Sequence, residues 1–222
     1  MLPVNFGQEN SSCFTIAKLA VKKIITILVT YNGSTWIDKC IQSVLTSSCA
    51  SDIIVIDNAS SDDTVAIIRQ RYPQVELHCS EKNLGFGKAN NIGIKRAIAL
   101  KADFVLLLNQ DAWIESGTLQ TLVDAINKNS MLGIVSPLHL NGAGTGLDRL
   151  FYQYLLRSDA DQFLTDKFLG KDRPDALINT RFVNAACWLV DLACVRAVGG
   201  FDPFFFHYGE DRNYAHRVIY KG

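Results

Sequence analysis

The chain has 222 residues, 48% of them hydrophobic, and its 22 acidic and 22 basic side chains give a formal net charge of zero. This length and apolar content predict one large or two small globular domains with a sizeable core. A balanced charge without a basic cluster argues against a nucleic-acid partner. The longest apolar runs, such as residues 24–29, are far shorter than the ~18 residues that a membrane-spanning helix needs.

Residues 1–23 lack a charged start and carry their lysines late, so they do not have the pattern of a signal peptide. We interpret them as an N-terminal extension with one short helix near residues 14–21. The six cysteines form no C-x-x-C pair and no metal-site spacing, which is typical of reduced packing residues in a cytoplasmic protein. They lie at positions 13, 40, 49, 79, 187 and 194.

From residue 24 onward, strand and helix patterns alternate. The predicted strands cover residues 24–32, 52–58, 75–80 and 103–111, and the predicted helices cover 35–47, 62–72, about 87–100 and 116–128. This alternation predicts an α/β fold of βαβ units with a largely parallel sheet. The second half is less regular: strands are predicted at 132–138 and 181–191, whereas 147–175 show no clean period.

Three of the predicted strands end in polar residues. These are Thr30, Tyr31 and Asn32 after the first strand, Asp57 and Asn58 after the second, and Asn109, Gln110 and Asp111 after the fourth. Right-handed crossovers bring such strand ends to one edge of the sheet, where open α/β sheets bind nucleotides. The sequence therefore predicts a ligand crevice at this edge.

Two of these stretches have alternative interpretations. Ser60 and Asp63 fit a capping box, which would make the second polar cluster a helix start. The stretch 83–93 nearly contains G-x-G-x-x-G, but Asn90 takes the place of the last glycine, and the stretch follows the third strand instead of the first. A dinucleotide-binding fold is therefore disfavoured, and we expect a loop whose backbone N–H groups face the ligand.

Asn109 and Asp111 point the same way if the strand continues to its predicted end, because residues two apart share a face. One carboxylate and one amide suit Mg²⁺, which binds through one or two carboxylates, substrate phosphates and water. This pattern predicts a site for a metal-bound diphosphate.

Five motifs occur in chain order, and together they resemble the inverting glycosyltransferases of family 2 with the GT-A fold, above all the rhamnosyltransferase-like branch. The motifs are VTYNGSTWIDKCIQSVL, VIDNASSDDT, NLGFGKANNIGI, LLLNQDA and VGGFDPFFFHYGED. The resemblance covers nearly all of residues 24–222. It implies a mostly parallel mixed sheet flanked by helices, with a donor-binding half at 24–130 and an acceptor-side half at 131–222.

The resemblance also implies roles for single residues on the donor side. Thr30, Tyr31 and Asp57 would hold the base and ribose of a nucleotide sugar, and Asn32, Asn58, Asn83, Gly85, Asn109 and Gln110 would line the same pocket. Asn109-Gln110-Asp111 occupies the place of the family's D-x-D motif, with Asp111 as the ligand of a divalent cation, Mg²⁺ or Mn²⁺. Here Asn109 replaces the first Asp of that motif.

On the acceptor side, Glu210 and Asp211 match the family's late acidic pair, in which Asp is the usual catalytic base. The alternative is that both acids simply begin a helix, where negative charge favours the helix dipole. Trp188, His207 and Tyr208 would form an aromatic platform for the acceptor sugar, and Asn184 would touch donor or acceptor. Family members commonly continue further than the eleven residues that follow Asp211, so the acceptor side is expected to be short.

The resemblance thus implies a metal-assisted transferase that moves a hexose or deoxyhexose, with rhamnose as one candidate, from a dTDP- or UDP-linked donor to a glycan or lipid-linked acceptor. Two alternatives remain: a nucleotide-sugar-binding module without transfer activity, and a nucleotidyltransferase. A nucleotidyltransferase is expected to carry a glycine- and arginine-rich loop after the first strand, but the segment TYNGST at that place contains no arginine. We expect a cytoplasmic protein. Two further questions stay open: whether it associates peripherally with the inner membrane face, and whether it forms a homodimer.

Overall fold

The computed structural model of the chain describes residues 22–156, 160–171 and 177–221. The helix predicted near residues 14–21 lies outside these ranges. Within the described ranges, no helix combines the length and the apolar character that crossing a membrane requires. The five cysteines in these ranges are free; Cys40 and Cys187 are buried as expected for packing residues, whereas Cys79 is exposed.

One six-stranded sheet forms the centre of the structure. Its strands are β1 (Ile24–Thr30), β2 (Asp52–Asp57), β3 (Glu76–Cys79), β4 (Phe104–Asn109), β5 (Ile134–Val135) and β6 (Cys187–Asp191). They lie in the order β3-β2-β1-β4-β6-β5, and the first four in this order run parallel. β6 is antiparallel to both β4 and β5. The predicted mixed, mostly parallel sheet is therefore confirmed.

Helices cover both faces of this sheet. They are α1 (Ile37–Leu45), α2 (Thr64–Arg71), α3 (Phe86–Ala99), α4 (Thr118–Lys128), α5 (Arg149–Leu155), α6 (Asp161–Phe168), α7 (Leu192–Val198) and α8 (Glu210–Lys221). Alternate residues of β1 serve the two faces: Ile24 and Leu28 pack with α1, α2 and α4, whereas Ile25 and Ile27 pack with α3, α7 and α8. Burial on both faces explains why these strands are almost continuously apolar.

The order of the strands places a topological switch point beside β1. The chain passes from β1 to β2 and β3 on one side, and then crosses to β4 on the other side of β1. In open α/β sheets, ligands bind outside the carboxyl ends of strands at such a point. The carboxyl ends of β1 and β4 are therefore where a ligand crevice is expected.

The second half of the chain departs from the prediction in its element bounds. The strand predicted at 181–191 begins only at Cys187, which pairs with Leu108 near the end of β4. The strand predicted at 132–138 is reduced to β5. Helices α5 and α6 were not predicted; α5 buries only Phe151 and Leu155, so its apolar period is too short to recognise.

Candidate active site

A buried hydrogen-bond network joins the carboxyl ends of β1 and β2. The Thr30 hydroxyl donates to Asp57 Oδ1 at 3.0 Å, and the Ser60 backbone N–H donates to Asp57 Oδ2 at 3.0 Å. Thr30 is 0% exposed and Asp57 only 2%. Both residues are thus buried beneath the carboxyl ends of β1 and β2, and a direct contact of Asp57 with a nucleotide stays a prediction.

The loops that follow these two strands are bonded to each other. The Asn32 backbone N–H donates to the Ser60 hydroxyl at 2.9 Å, and the Asn32 side chain accepts from Ser61 N–H at 2.8 Å. Ser60 therefore does not cap α2, and the predicted capping box is wrong: the side chain of Asp63, which precedes the helix, makes no capping bond either. The Asn32 side chain, expected to line the donor pocket, is engaged in holding the loop.

Asp62 makes a side-chain hydrogen bond to the first residue of α2. Its carboxylate accepts from Thr64 N–H at 3.1 Å and from Ser34 N–H, in the loop after β1, at 3.0 Å. Burial alone would raise the pKa of Asp62, but the hydrogen bonds from Thr64 and Ser34 outweigh this effect and hold the pKa well below its usual range. Asp62 thus ties the start of α2 to the loop that leads into α1.

Replacing Asp62 with Asn should lower the free energy of unfolding by about 1–2 kcal/mol near neutral pH, since charge-assisted hydrogen bonds are lost. The native pKa lies below the unfolded value of ~3.9, so this contribution is present above that pH and disappears as the pH falls towards the native pKa. Urea unfolding at several pH values measures the difference. Asp63→Asn is the matched control, and equal effects of both variants at every pH would contradict the assignment.

Gln110 connects β4 to β1 through its side-chain amide. Its Oε1 accepts from Tyr31 N–H at 3.0 Å, and its Nε2 donates to the Tyr31 carbonyl at 3.1 Å. A Cβ on Gly33 would lie 2.1 Å from Gln110 Oε1, so a larger residue at 33 would displace the Gln110 side chain from these bonds. We expected Gln110 to contact the donor, but both polar atoms of its side-chain amide bond to the backbone of Tyr31. The exposed Tyr31 side chain remains free to face the crevice.

Asn58 holds the loop at residues 83–87 in the same manner. Its Oδ1 accepts from Leu84 N–H at 3.2 Å, and its Nδ2 donates to the Gly85 carbonyl at 3.4 Å. Asn83 accepts from Gly85 N–H at 2.8 Å. Asn58 is 3% exposed. The predicted loop residues are therefore brought together, with Asn58 as a support beneath the loop.

The 83–87 loop packs against the segment that carries the acidic pair. A Cβ on Gly85, whose φ is +80°, would lie 2.1 Å from the Phe206 carbonyl oxygen. A Cβ on Gly87 would lie 3.0 Å from the Cβ of Phe201 and 3.6 Å from the Cβ of Glu210. The glycines thus permit a close approach between the 83–87 segment and the start of α8.

Asn91 is a further support that the sequence reasoning missed. Its side chain donates to the Phe201 carbonyl at 2.8 Å and accepts from Phe201 N–H at 2.8 Å. These two hydrogen bonds to the backbone anchor the 201–209 segment on α3. An asparagine on the half-buried side of a helix start, near a glycine-rich loop, was the available signal.

The two members of the acidic pair differ in environment. Glu210 is 5% exposed, and its Oε2 has no hydrogen-bond partner among the described residues. Burial, together with the Asp211 charge, raises the pKa of Glu210 against the opposing influence of its backbone hydrogen bond and His207. Asp211 is half-buried and accepts from Arg212 N–H at 2.7 Å. Both acids lie in the first turn of α8, so the helix-start alternative is correct for their position and leaves the role of Asp211 open.

Asn109 and Asp111 lie at the end of β4 and just beyond it. The Asn109 backbone N–H donates to the Ala186 carbonyl at 2.9 Å, and Asp111 is exposed. Within the described ranges, no three His, Cys, Asp or Glu side chains are grouped closely enough to hold a metal ion. This donor set fits only a hard cation that takes most of its ligands from substrate phosphates and water.

The predicted acceptor residues fall into two groups. Trp188 is 1% exposed and lies in the core beneath α8, so its predicted role as a sugar platform is wrong: a strand covered on both faces buries its aromatic rings. Asn184 is half-buried, with Oδ1 lacking a partner among the described residues. His207 and Tyr208 are exposed, with ring centroids 3.9 Å apart, and an acceptor contact at these two stays a prediction.

This arrangement can be compared with known proteins. The family model for Glycosyl transferase family 2 matches residues 26–187. An N-acetylglucosaminyl-diphospho-decaprenol L-rhamnosyltransferase from Mycobacterium tuberculosis is 24% identical over 216 aligned residues, which cover 86% of this chain and 69% of the relative.

Two solved structures share the fold. A crystal structure of S. aureus TarS 1–349 in complex with UDP matches with a TM-score of 0.66 at 18% identity, covering 90% of this chain and 55% of the TarS 1–349 chain. The mannosyltransferase PcManGT from Pyrobaculum calidifontis, in complex with GDP-Man and Mn²⁺, matches with a TM-score of 0.63 at 19% identity, covering 88% and 51%. The chain thus spans about half the length of these two structures, and the predicted GT-A architecture is confirmed.

Proposed function

Since this chain belongs to glycosyl transferase family 2, we propose that it moves a sugar from a nucleotide diphosphate donor to a hydroxyl group of a glycan or lipid-linked glycan, with inversion. The observation that carries this proposal is the close approach of Gly85 and Gly87 to Phe206 and Glu210. It joins the loop beside the strand ends to the segment that bears a half-exposed carboxylate, Asp211. A donor and an acceptor could therefore meet in one crevice.

The donor half of the proposed site lies at residues 24–130, and the acceptor half at 131–222. Tyr31 is exposed at the switch point, where a base can stack on its ring, and the buried Thr30–Asp57 pair fixes the strand ends below it. The likeness to a rhamnosyltransferase supports rhamnose as the sugar, and the UDP bound to TarS supports a pyrimidine base. A dTDP- or UDP-linked donor agrees with both.

The chemistry requires a base on the acceptor side. A sugar hydroxyl is a poor nucleophile, so a carboxylate must take its proton as the new bond to the anomeric carbon forms. The bond from that carbon to the diphosphate oxygen breaks in the same step, and the diphosphate leaves with the electron pair. We assign the base to Asp211, because Asp211 is half-buried whereas Glu210 is only 5% exposed. Attack from the face opposite the leaving group inverts the anomeric centre.

Asp111, with Asn109 beside it, would hold a Mg²⁺ or Mn²⁺ ion together with donor phosphates and water. When bound, such a cation neutralises charge that develops on the departing diphosphate. The exposed Asp111 carboxylate lies just beyond the end of β4. The Mn²⁺ in the mannosyltransferase complex supports this choice of cation.

Calorimetry of the folded chain with dTDP and UDP, each with and without Mn²⁺ or Mg²⁺, tests the donor site. We expect one nucleotide to bind more tightly with metal, and Asp111→Asn to remove this gain, on the order of tenfold, while metal-free binding persists. Glu115→Gln, which changes an exposed acid four residues further along, is the matched control. No binding of either nucleotide would contradict the donor site, and an unchanged metal gain in Asp111→Asn would contradict the metal ligand.

The second candidate function is a nucleotide-sugar-binding module without transfer, which the single acid at the D-x-D position favours. It predicts the same calorimetry but no product.

For the transferase, the lipid-linked acceptor named for the mycobacterial relative supports a cytoplasmic location at the inner membrane face. Co-sedimentation with anionic vesicles tests that location, and light scattering tests for a homodimer.

A further inference from the structure

The chain leaves α7 through a short turn at residues 198–201, the 198–201 turn, and α3 holds the end of this turn. The Asn91 side chain of α3 donates to the Phe201 carbonyl at 2.8 Å and accepts from Phe201 N–H at 2.8 Å. A Cβ on Gly200 would lie 2.3 Å from Asn91 Oδ1, so a larger residue at 200 would displace the amide from these bonds. Asn91 thus fixes the end of the turn on α3.

Arg217 of α8 binds the same turn from the other side. Its Nη1 donates to the Val198 carbonyl at 3.0 Å, and its Nη2 donates to the Gly200 carbonyl at 2.6 Å. Its Nε donates to Asn213 Oδ1 at 2.9 Å, which holds the guanidinium in place on α8. Three acceptors around one side chain suit the rigid fork of arginine, which the single ammonium group of lysine does not reproduce. Arg217 thus ties α8 to the 198–201 turn.

The Phe201 side chain packs against both helices. Its ring stacks on that of Tyr214 in α8, with centroids 4.9 Å apart, and meets the ring of Phe86, the first residue of α3, edge to face at 5.8 Å. Phe201 is 2% exposed. A Cβ on Gly87 would lie 3.0 Å from the Cβ of Phe201 and 3.6 Å from the Cβ of Glu210. The contacts therefore run from α3 through Phe201 to α8, and from the start of α8 back to α3.

We propose that Asn91 and Arg217 are positioning residues that act as one clamp on the 198–201 turn and so set where α8 presents Asp211, an inference that rests on the proposed function. Asp211 lies in the first turn of α8, on the same helix as Arg217. A helix transmits a shift as a rigid element, so a loosened Arg217 displaces Asp211 as well. The clamp fixes α8 on the helix that begins in the 83–87 loop. Neither clamp residue acts on the reacting atoms.

Two variants open the clamp from its two sides. Arg217→Lys keeps the charge but loses the fork, and Asn91→Ala removes both bonds to Phe201. Arg217→Lys decides alone if Asn91→Ala does not fold.

Each variant has a matched control that removes comparable bonds away from the turn. Arg96 donates to Glu76 from Nε at 2.7 Å and from Nη2 at 3.1 Å, so Arg96→Lys is the control for the arginine. Asn141 makes bonds of 3.2 and 3.1 Å to Thr145 within an exposed loop, so Asn141→Ala is the control for the asparagine.

The first readout is structural and needs no substrate. Deuterium exchange of the Phe201 backbone N–H reports the turn, and the nuclear Overhauser effect between the Gly87 α protons and the Glu210 β protons reports the approach of α8 to α3. We expect Phe201 exchange to accelerate on the order of tenfold in both clamp variants, although Asn91 and not Arg217 accepts from that N–H. The Gly87–Glu210 effect should weaken in both variants, and both signals should stay unchanged in the controls.

The second readout is transfer kinetics per folded molecule, which a mere loss of stability does not change. We expect kcat to fall on the order of tenfold in Arg217→Lys and in Asn91→Ala, less than the roughly 10²-fold that a 1 Å misplacement costs. Donor affinity should stay nearly unchanged. The loss in the double variant should be smaller than the product of the single losses, because both changes open the same clamp.

Three results would overturn the inference: Phe201 exchange that is unchanged in Arg217→Lys, a Gly87–Glu210 effect that keeps its strength in both variants, or a kcat equal to that of the controls in both variants. A chain that transfers no sugar at all would contradict the proposed function instead. The exchange and Overhauser measurements would then still support or overturn the clamp.

Discussion

Replacing Asp211 with Asn is expected to lower kcat by about 10²–10⁴-fold, the range that a positioned general base contributes. The amide keeps the shape of the side chain and its bond to the Arg212 N–H, but it cannot take the proton of the acceptor hydroxyl. Donor binding should persist, since Asp211 is not among the residues that we propose to hold the donor. Product formation from a dTDP- or UDP-linked sugar, with calorimetry of the nucleotide alone, measures both.

Asp161→Asn is the matched control for this change. Like Asp211, Asp161 is an acid in the first turn of a helix, in this case α6, and its side chain is exposed. Its replacement by Asn changes the net charge and the charge near the helix N-terminus by the same amount as Asp211→Asn does. A large kcat loss in Asp211→Asn alone identifies the base. If both variants retain full transfer, another group takes the proton. If neither the variants nor the unchanged chain forms product while nucleotide binds, the binding-module function is correct.

The sheet and its ligand edge could be predicted from the sequence because both depend on local patterns. Strand β4 reads as an uninterrupted apolar run that ends in polar residues, and burial on both faces produces that pattern directly. Parallel strands with right-handed crossovers then require their carboxyl ends to meet. Tyr31 and Asp111 are both exposed at this edge, and a ligand crevice there stays a prediction.

The roles of the amide side chains could not be predicted in the same way. Asn58, Asn91 and Gln110 each satisfy backbone groups of a segment far away in the chain, and only the tertiary fold determines which segment that is. A polar residue at a strand end looks the same in sequence whether it binds a ligand or a loop. The sequence reasoning therefore assigned Asn58 and Gln110 to the donor and overlooked Asn91.

Trp188 illustrates a related limit. In a strand with one solvated face, alternation would indicate which residues point outward. Strand β6 is covered on both faces, and four of its five residues are buried, so no alternation exists to indicate where the ring points. The aromatic residues of 204–208 lie in a loop, where exposure is the ordinary condition. The residue types alone did not distinguish the buried ring of Trp188 from the aromatic residues of this loop.

Replacing Gly85 with Ala is expected to disable the site by displacing its donor-side loop. The added Cβ would overlap the Phe206 carbonyl oxygen at 2.1 Å, and Gly85 has φ +80° and ψ 169°, a conformation that is strained by about 1–3 kcal/mol for any other residue. Relieving the overlap must separate the loop from the 201–209 segment. A misplacement of about 1 Å is enough to cost on the order of 10²-fold in kcat/KM.

Gly144→Ala separates strain from contact. Gly144 also has a positive φ, +68°, but no described atom beyond its chain neighbours lies within 4 Å of the added Cβ. It should lower the unfolding free energy without reducing donor affinity or kcat/KM, whereas Gly85→Ala should reduce all three. Since Phe206 approaches Gly85 through its backbone, a smaller side chain at 206 cannot relieve the overlap, and Gly85→Ala with Phe206→Ala should stay inactive. Recovery of activity in that double variant would show that ring packing, and not the backbone approach, keeps the two halves of the site together.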